Sequence, residues 1–343
     1  MTMRSNVTSP TEPVSRPFRI LSLDGGGVKG AYTASVLATL EEDTGRRWVD
    51  HFDLIAGTST GGIIAIGLGL GLTAREICDF YTERGDDIFP MAGVVGRNLR
   101  LARQLLRPKY DSSSLRAALT EILRDRPFGE SSVRLVIPAY DVTEGRVFVF
   151  KTGHHERFRY DLDIPAVEIA LATAAAPTYF GAATIEKFNA SFVDGGVWAN
   201  TPVVVALTEA VQFLGIPPSD IDILSVGTTT EPFKSSKRRN LGGVMQWGAG
   251  LIELLMTSQT QGVLAQAELV TNGGLFRINH LVQRGRFGLD NAETADQLAA
   301  LGRSDAVKKD NLTAVTERFL NGVHAEAYTP VVSLDRSADD EAG

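Results

Sequence analysis

A chain of 343 residues with 43% hydrophobic and 22% charged residues has the balance of a globular protein with a full core, which excludes disordered and fibrous classes. Lys and Arg number 34 against 41 Asp and Glu, a net charge of −7, so bulk electrostatics offers no attraction to a DNA or RNA polymer or to an anionic membrane, and any such binding has to be local. The single cysteine, Cys78, excludes an internal disulfide framework and a cysteine-rich metal site, fits a reducing compartment, and falls in a helical pattern as an ordinary core residue.

Met1 to Pro17 is polar, carries three prolines and lacks the apolar segment of a secretion signal, so it reads as a flexible tail. Phe18 to Leu23 is a short β-rich run ending at Asp24-Gly25-Gly26-Gly27-Val28-Lys29-Gly30, and Ala31 to Glu42 follows with helix-period apolar positions. A strand therefore feeds a glycine-rich loop that opens a helix. Uncovered backbone N–H groups at Gly25, Gly26 and Gly27, helped by the helix dipole, make an anion cradle. Gly25-x-Gly27-x-x-Gly30 matches the dinucleotide-binding fingerprint, and the same amides also suit an oxyanion hole. The next strand ends in a serine turn rather than in an acidic residue placed for a ribose hydroxyl, which favours the oxyanion hole.

That serine turn is Gly57-Thr58-Ser59-Thr60-Gly61, running on into Gly62 between the apolar runs Phe52 to Ala56 and Ile63 to Leu72. Gly-x-Ser-x-Gly at a strand-to-helix junction is a nucleophile elbow, where small neighbours permit a strained turn that lifts the hydroxyl clear of the backbone. Gly61 to Leu72 is too short to cross a bilayer, which takes about 20 residues of helix, and reads as a buried central helix.

Thr73 to Arg84 and Ser112 to Arg124 show helical spacing, with Thr73 and Asp111 to Ser113 as caps. Between them, 89–107 mixes apolar residues with Arg97, Arg100, Arg103 and Arg107. It suits either a basic amphipathic lid touching the membrane or a helix that covers the sheet edge with its arginines reaching to water. Arg134 to Tyr140 and Arg146 to Lys151 read as paired strands around Thr143-Glu144-Gly145, and Ile164 to Ala175 as a small-residue helix. Phe192-Val193-Asp194-Gly195-Gly196 is the third glycine-flanked turn. Asp194 at a strand end is a candidate general base for Ser59, the plainer reading being an Asp-Gly turn.

Val203 to Leu214 continues as a helix, Ile221 to Val226 as a strand, Met245 to Val270 as one or two helices, Leu275 to Asn279 as a strand, and Asp305 to Phe319 as a final helix capped by Ser304. The last residues, from Ser333, turn acidic and read as disordered. Alternating strands and helices predict a three-layer α/β/α sandwich with a largely parallel central sheet. The tail at 1–17 and the acidic end at 333–343 flank a catalytic core over 18–206 and its continuation over 207–332.

A histidine-based triad requires a late histidine, and neither His280 nor His324 has the surrounding turn chemistry, so both read as surface or capping residues. His154 and His155 sit in a polar run with no zinc spacing. A pair of Ser59 and Asp194 needs no histidine. Taken in order, Asp24-Gly25-Gly26-Gly27-Val28-Lys29-Gly30, Gly57-Thr58-Ser59-Thr60-Gly61-Gly62 and Asp194-Gly195-Gly196 closely resemble the patatin-like phospholipases over Phe18 to Ala206. The third motif often ends in alanine, and Gly196 is a common alternative. The resemblance implies Ser59 as nucleophile, Asp194 as its base and amides of Gly25 to Gly27 as the oxyanion hole. The implied reaction hydrolyses acyl esters of membrane glycerophospholipids through an acyl-enzyme, with no metal or other cofactor.

Within that family the chain looks like bacterial antiphage effectors that respond to cyclic oligonucleotides. This implies a cyclic dinucleotide activator, a cytoplasmic location with action at the inner membrane surface, and a homo-oligomer as a candidate assembly. A local basic run, Lys234, Lys237, Arg238 and Arg239, suits phosphates of a nucleotide or a lipid headgroup, or is simply a solvated loop. The rival readings are an unregulated lipid acyl hydrolase or toxin, and a non-catalytic lipid- or nucleotide-binding module.

Overall fold

The computed structural model describes residues 16–88, 108–232 and 249–334. The segment 89–107, the four basic residues between 234 and 239, and the acidic end from 335 lie outside the described residues.

In chain order the elements are β1 (Phe18–Leu23), α1 (Gly30–Thr44), β2 (Leu54–Gly57), α2 (Thr60–Gly69), α3 (Ala74–Ile88), α4 (Ser112–Leu123), β3 (Arg134–Asp141) and β4 (Arg146–Lys151). Then follow α5 (Ala166–Ala174), β5 (Ala183–Ile185), β6 (Ala190–Asp194), the single turn α6 (Gly196–Ala199), α7 (Val203–Phe213), β7 (Ile221–Val226), α8 (Ala249–Val270), β8 (Leu275–Ile278), α9 (Ala295–Ala306) and α10 (Lys309–Val315). The strands form one eight-stranded sheet in the order β5-β6-β3-β2-β1-β7-β8, with β4 paired to β3. Pairs β1–β2, β1–β7, β2–β3 and β7–β8 are parallel, whereas β3–β4, β3–β6 and β5–β6 are antiparallel.

Alternation along the strands explains the three layers. Ile20, Leu54, Ala56, Val136, Ile221 and Ile223 point to one face and pack with Val203, Ala206 and Ala210 of α7 and Ala267 of α8. Their neighbours Leu21, Leu23, Ile55, Leu135, Ile137, Leu224 and Val226 point to the other face and meet α1, α2, α3, α5 and α9. Both faces of the parallel part are thus covered, and its strands read as near-continuous apolar runs. The expected three-layer α/β/α sandwich is the fold found. Among the described residues no helix is long and apolar enough to cross a membrane.

Local chemistry fixes the helix ends. Asp111 accepts the Ser113 amide at 3.1 Å to cap α4, and Thr73 and Glu76 form a capping box at the start of α3. Arg16, from the run expected as a tail, reaches both oxygens of Asp53 at 2.7 and 2.6 Å.

One expected element is wrong. The final helix does not start at Asp305 with Ser304 as cap: Ser304 lies inside α9, the chain turns at Val307 and Lys308, and α10 follows. Helix α9 escaped notice because its buried face is made of Ala295, Leu298, Ala299, Gly302 and Ala306, small residues that give a weak apolar period. Small is what the contact with α1 requires, since a β-carbon at Gly302 would lie 2.5 Å from the Tyr32 carbonyl. Asp305 is held there by the Tyr32 hydroxyl at 2.7 Å. The short strand β5 was also not anticipated.

Candidate active site

Leu23 and Gly57 are register partners at the ends of the parallel strands β1 and β2, so the glycine loop and the serine turn leave the sheet side by side. That is the position where open α/β sheets hold ligands. Asp194 closes β6, whose antiparallel pairing places it opposite Ala139 of β3. Two hydrogen bonds bind the third turn to the first two: the Thr58 hydroxyl donates to the Ala199 carbonyl at 2.6 Å, and the Gly25 amide donates to the Asn200 carbonyl at 3.0 Å.

Ser59 occupies φ 56°, ψ −122°, a backbone region that side chains other than glycine rarely adopt. The turn is clamped there. Ser59 N–H donates to Thr173 Oγ1 at 3.0 Å, and the Thr173 hydroxyl donates to the Pro138 carbonyl at 2.6 Å. A β-carbon on Gly61 would overlap the Leu23 carbonyl oxygen, so β1 and α2 approach as closely as backbones can.

The Ser59 hydroxyl lies close enough to the Asp194 carboxylate to favour its charged form. Both side chains are buried, at 9% and 5% exposure, which removes competing water. Asp194 Oδ1 also accepts the Gly196 amide at 2.7 Å. Burial pushes the Asp194 carboxyl up to about 6, against the opposite pull of the Ser59 and Gly196 hydrogen bonds. A β-carbon at Gly196 would lie 3.0 Å from Asp194 Oδ1, so the glycine leaves room around the carboxylate.

Beside the pair, the glycine loop is anchored at its first residue. Asp24 takes both guanidinium nitrogens of Arg277, at 3.3 and 2.5 Å, and Arg277 also donates to Ser225 Oγ at 2.6 Å. The Gly25 carbonyl accepts the Thr228 hydroxyl at 3.1 Å. With the Gly25 amide engaged by Asn200, the amides of Gly26 and Gly27 are the ones that find no acceptor among the described residues. Gly27 has φ +59°, and a β-carbon there would overlap the Leu289 carbonyl, which accepts the Val28 amide at 2.9 Å. Lys29 follows, buried, with its ammonium pKa lowered by desolvation.

Ser59, Asp194 and Gly25 to Gly27 are therefore brought together, while Lys234, Lys237, Arg238 and Arg239 lie outside the described residues. Thr173 and Arg277 were missed. Thr173 had one faint signal, a lone hydroxyl in the run Ala170-Leu171-Ala172-Thr173-Ala174-Ala175-Ala176; Arg277 had none, because its partner lies across the sheet.

The histidines stand away from this chemistry. His154, expected in a polar loop, is instead buried, with Nε2 3.0 Å from Glu209 and Nδ1 2.9 Å from Thr152. His280 sits with Nδ1 2.9 Å from Asp305, so it belongs to the α9 contact rather than to a cap. His51 and His324 lie ring to ring at 4.6 Å. Among the described residues no three His, Cys, Asp or Glu side chains are grouped to hold a metal ion.

The family model for patatin-like phospholipase matches residues 21–207. The chain belongs to this family. Patatin-like enzymes are serine hydrolases, and this one is a patatin-like phospholipase with bacterial and plant relatives. It is 37% identical over 265 residues to a cGAMP-activated phospholipase of Pseudomonas aeruginosa, covering 76% of this chain and 78% of the relative. A cGAMP-activated phospholipase of Vibrio cholerae is 33% identical over 332 residues, covering 87% and 93%. Patatin-like protein 2 of Arabidopsis thaliana is 33% identical over 278 residues, covering 70% and 67%.

Proposed function

We propose that this patatin-like phospholipase cleaves acyl esters of membrane glycerophospholipids with Ser59 and Asp194, and that a cyclic dinucleotide switches it on. The observation that carries the chemistry is a serine hydroxyl on a strained elbow, set beside a buried carboxylate and beside unengaged loop amides. Ser59 Oγ attacks the ester carbonyl while Asp194 takes its proton. The developing oxyanion is met by the glycine loop, chiefly the amides of Gly26 and Gly27. Collapse expels the lysolipid alkoxide, which takes the proton from Asp194 and leaves Ser59 acylated. Asp194 then draws a proton from water, hydroxide adds to the acyl carbonyl, and fatty acid departs as Ser59 recovers its hydrogen.

The activation reading is supported by relatives whose names carry cGAMP, together with likeness over most of both chains. It assigns the enzyme to the cytoplasm, acting on the inner membrane surface as an antiviral effector. Fatty-acid release from phospholipid vesicles, measured with and without a panel of cyclic dinucleotides, tests both parts. Expected is low release alone and at least tenfold more with one panel member. Full release that no nucleotide changes overturns the activation, and no release under any condition overturns the chemistry.

The base assignment also predicts a pH profile. Asp194 acts only when ionised, and its pKa is about 6, so kcat/KM for a short soluble ester should fall about tenfold per pH unit below that value. An acid limb centred near 4, the range of an ordinary carboxylate, would contradict a buried base.

A further inference from the structure

On the side of the sheet away from the serine turn, β4 pairs with β3 alone, and its outer flank forms one wall of a cavity of about 510 Å³. That volume is within the range of small-ligand sites, roughly 300–1,000 Å³. Three cations line it, Arg146, Lys151 and Arg157, with the carboxylate of Asp161; Arg146 also pairs with Asp141 at 3.4 Å, in a chain whose net charge is −7. Aromatic rings alternate with these charges.

Lys151 is built in. Its ammonium lies 4.4 Å from the Phe158 ring centre and 4.3 Å from that of Phe213, and it bonds Glu209 at 2.6 Å. Those two rings meet edge to face at 4.9 Å, so a rigid aromatic corner carries the cation. Arg157, by contrast, is exposed and has no carboxylate partner among the described residues. Tyr160 is 67% exposed with no ring partner there, an unusual state for a large aromatic side chain at a cavity mouth. Asp161 is 9% exposed and uses one oxygen to accept the Lys151 amide at 2.8 Å; its other oxygen has no partner among the described residues.

We propose that this cavity is the binding site for the cyclic dinucleotide. Resting on the activation reading above, the assignment matches each ligand part to a group on the walls. Arg157 and Arg146 meet the phosphates, Tyr160 and the Phe158–Phe213 corner stack the bases, and Asp161 accepts N–H groups from the edge of a guanine. Stacking of this kind tolerates any base, because every base has a π face, and does not require groove readout.

The location gives the ligand a route to the dyad. Ala139 of β3 is register partner to Phe148 of β4 on one side and to Asp194 of β6 on the other. The adjacent Pro138 carbonyl holds the Thr173 hydroxyl, which in turn holds the Ser59 amide. One strand thus separates the cavity wall from both members of the catalytic pair, and a displacement of β4 reaches Asp194 through the sheet pairing and Ser59 through the Thr173 hydroxyl.

Binding of cyclic GMP-AMP to the full chain by calorimetry, beside vesicle hydrolysis, tests the site with Arg157→Glu and Tyr160→Ala. Both side chains are exposed and neither belongs to the catalytic machinery, so melting temperature and nucleotide-free hydrolysis of a soluble ester should match wild type. Affinity should fall at least tenfold in each, with a parallel rise in the nucleotide concentration needed for activation. Wild-type affinity in the Arg157→Glu chain overturns the site while leaving activation by the nucleotide intact. If the wild-type chain itself binds no cyclic dinucleotide, the site and the activation reading fall together. Inorganic phosphate competing as well as the nucleotide would overturn the role given to the rings.

Discussion

Replacing Ser59 by alanine, or Asp194 by asparagine, should lower fatty-acid release by about 10³-fold or more, because in the proposed chemistry nucleophile and base act as one unit. The two variants are distinguished by stability. Asp194 has a folded pKa of about 6 against 3.8 for an aspartate in an unstructured chain, so the folded state loses stability as pH rises from about 4 through 6. Asparagine keeps the acceptor for Gly196 and Ser59 without the buried charge. Asp194→Asn should therefore be more stable than wild type at pH 8, by about 3 kcal/mol, and no more stable at pH 4. Ser59→Gly should also stabilise, by about 1 kcal/mol, since glycine relieves the φ of 56° that serine is forced to hold. An inactive variant more stable than the enzyme is the expected signature of strain held for catalysis. Denaturant midpoints at the two pH values decide it; equal stabilisation at pH 4 and pH 8 would remove the charge from the explanation.

The second large effect is steric. In an exposed helix interior a Gly→Ala change adds about 1 kcal/mol of helix stability. At Gly61 the same change should destabilise by about 3 kcal/mol or more, because a β-carbon would overlap the Leu23 carbonyl oxygen and lie 2.8 Å from that of Asp24. Those are backbone atoms of the neighbouring turn, with no flexible end to yield. Gly45→Ala serves as control: that glycine has φ +65° and nothing within 4 Å of the added carbon, so the loss there should stay near 1 kcal/mol. Similar losses at the two positions would mean that backbone conformation, and not the packing of the elbow on β1, sets the need for glycine.

The contrast also explains what the sequence disclosed. Ser59, Asp194 and Gly25 to Gly27 stand in short local motifs, and each motif is local because backbone must come within contact distance of backbone at a strand end. Strand alternation and helix period were legible for the same reason: neighbours along the chain decide them. Thr173, Arg277 and the His154–Glu209 pair were not, because their partners lie 114, 253 and 55 residues away and only the finished sheet brings them together. Helix α9 was hidden by the smallness that lets it pack on α1. The distinction between Gly25, whose amide is already engaged, and its two successors likewise depends on Asn200, on a different turn.

The Asp24–Arg277 pair sets an order on biosynthesis. Arg277 lies on β8, which among the described residues pairs with β7, itself paired to β1. A ribosome adding about 5–20 residues per second leaves the triple-glycine loop waiting tens of seconds before its guanidinium anchor is made. Until then Asp24 has no cation and the loop amides have no fixed aim. The phospholipase thus has an unanchored glycine loop while it is nascent, and truncated products that end before β8 lack the part that holds that loop in place.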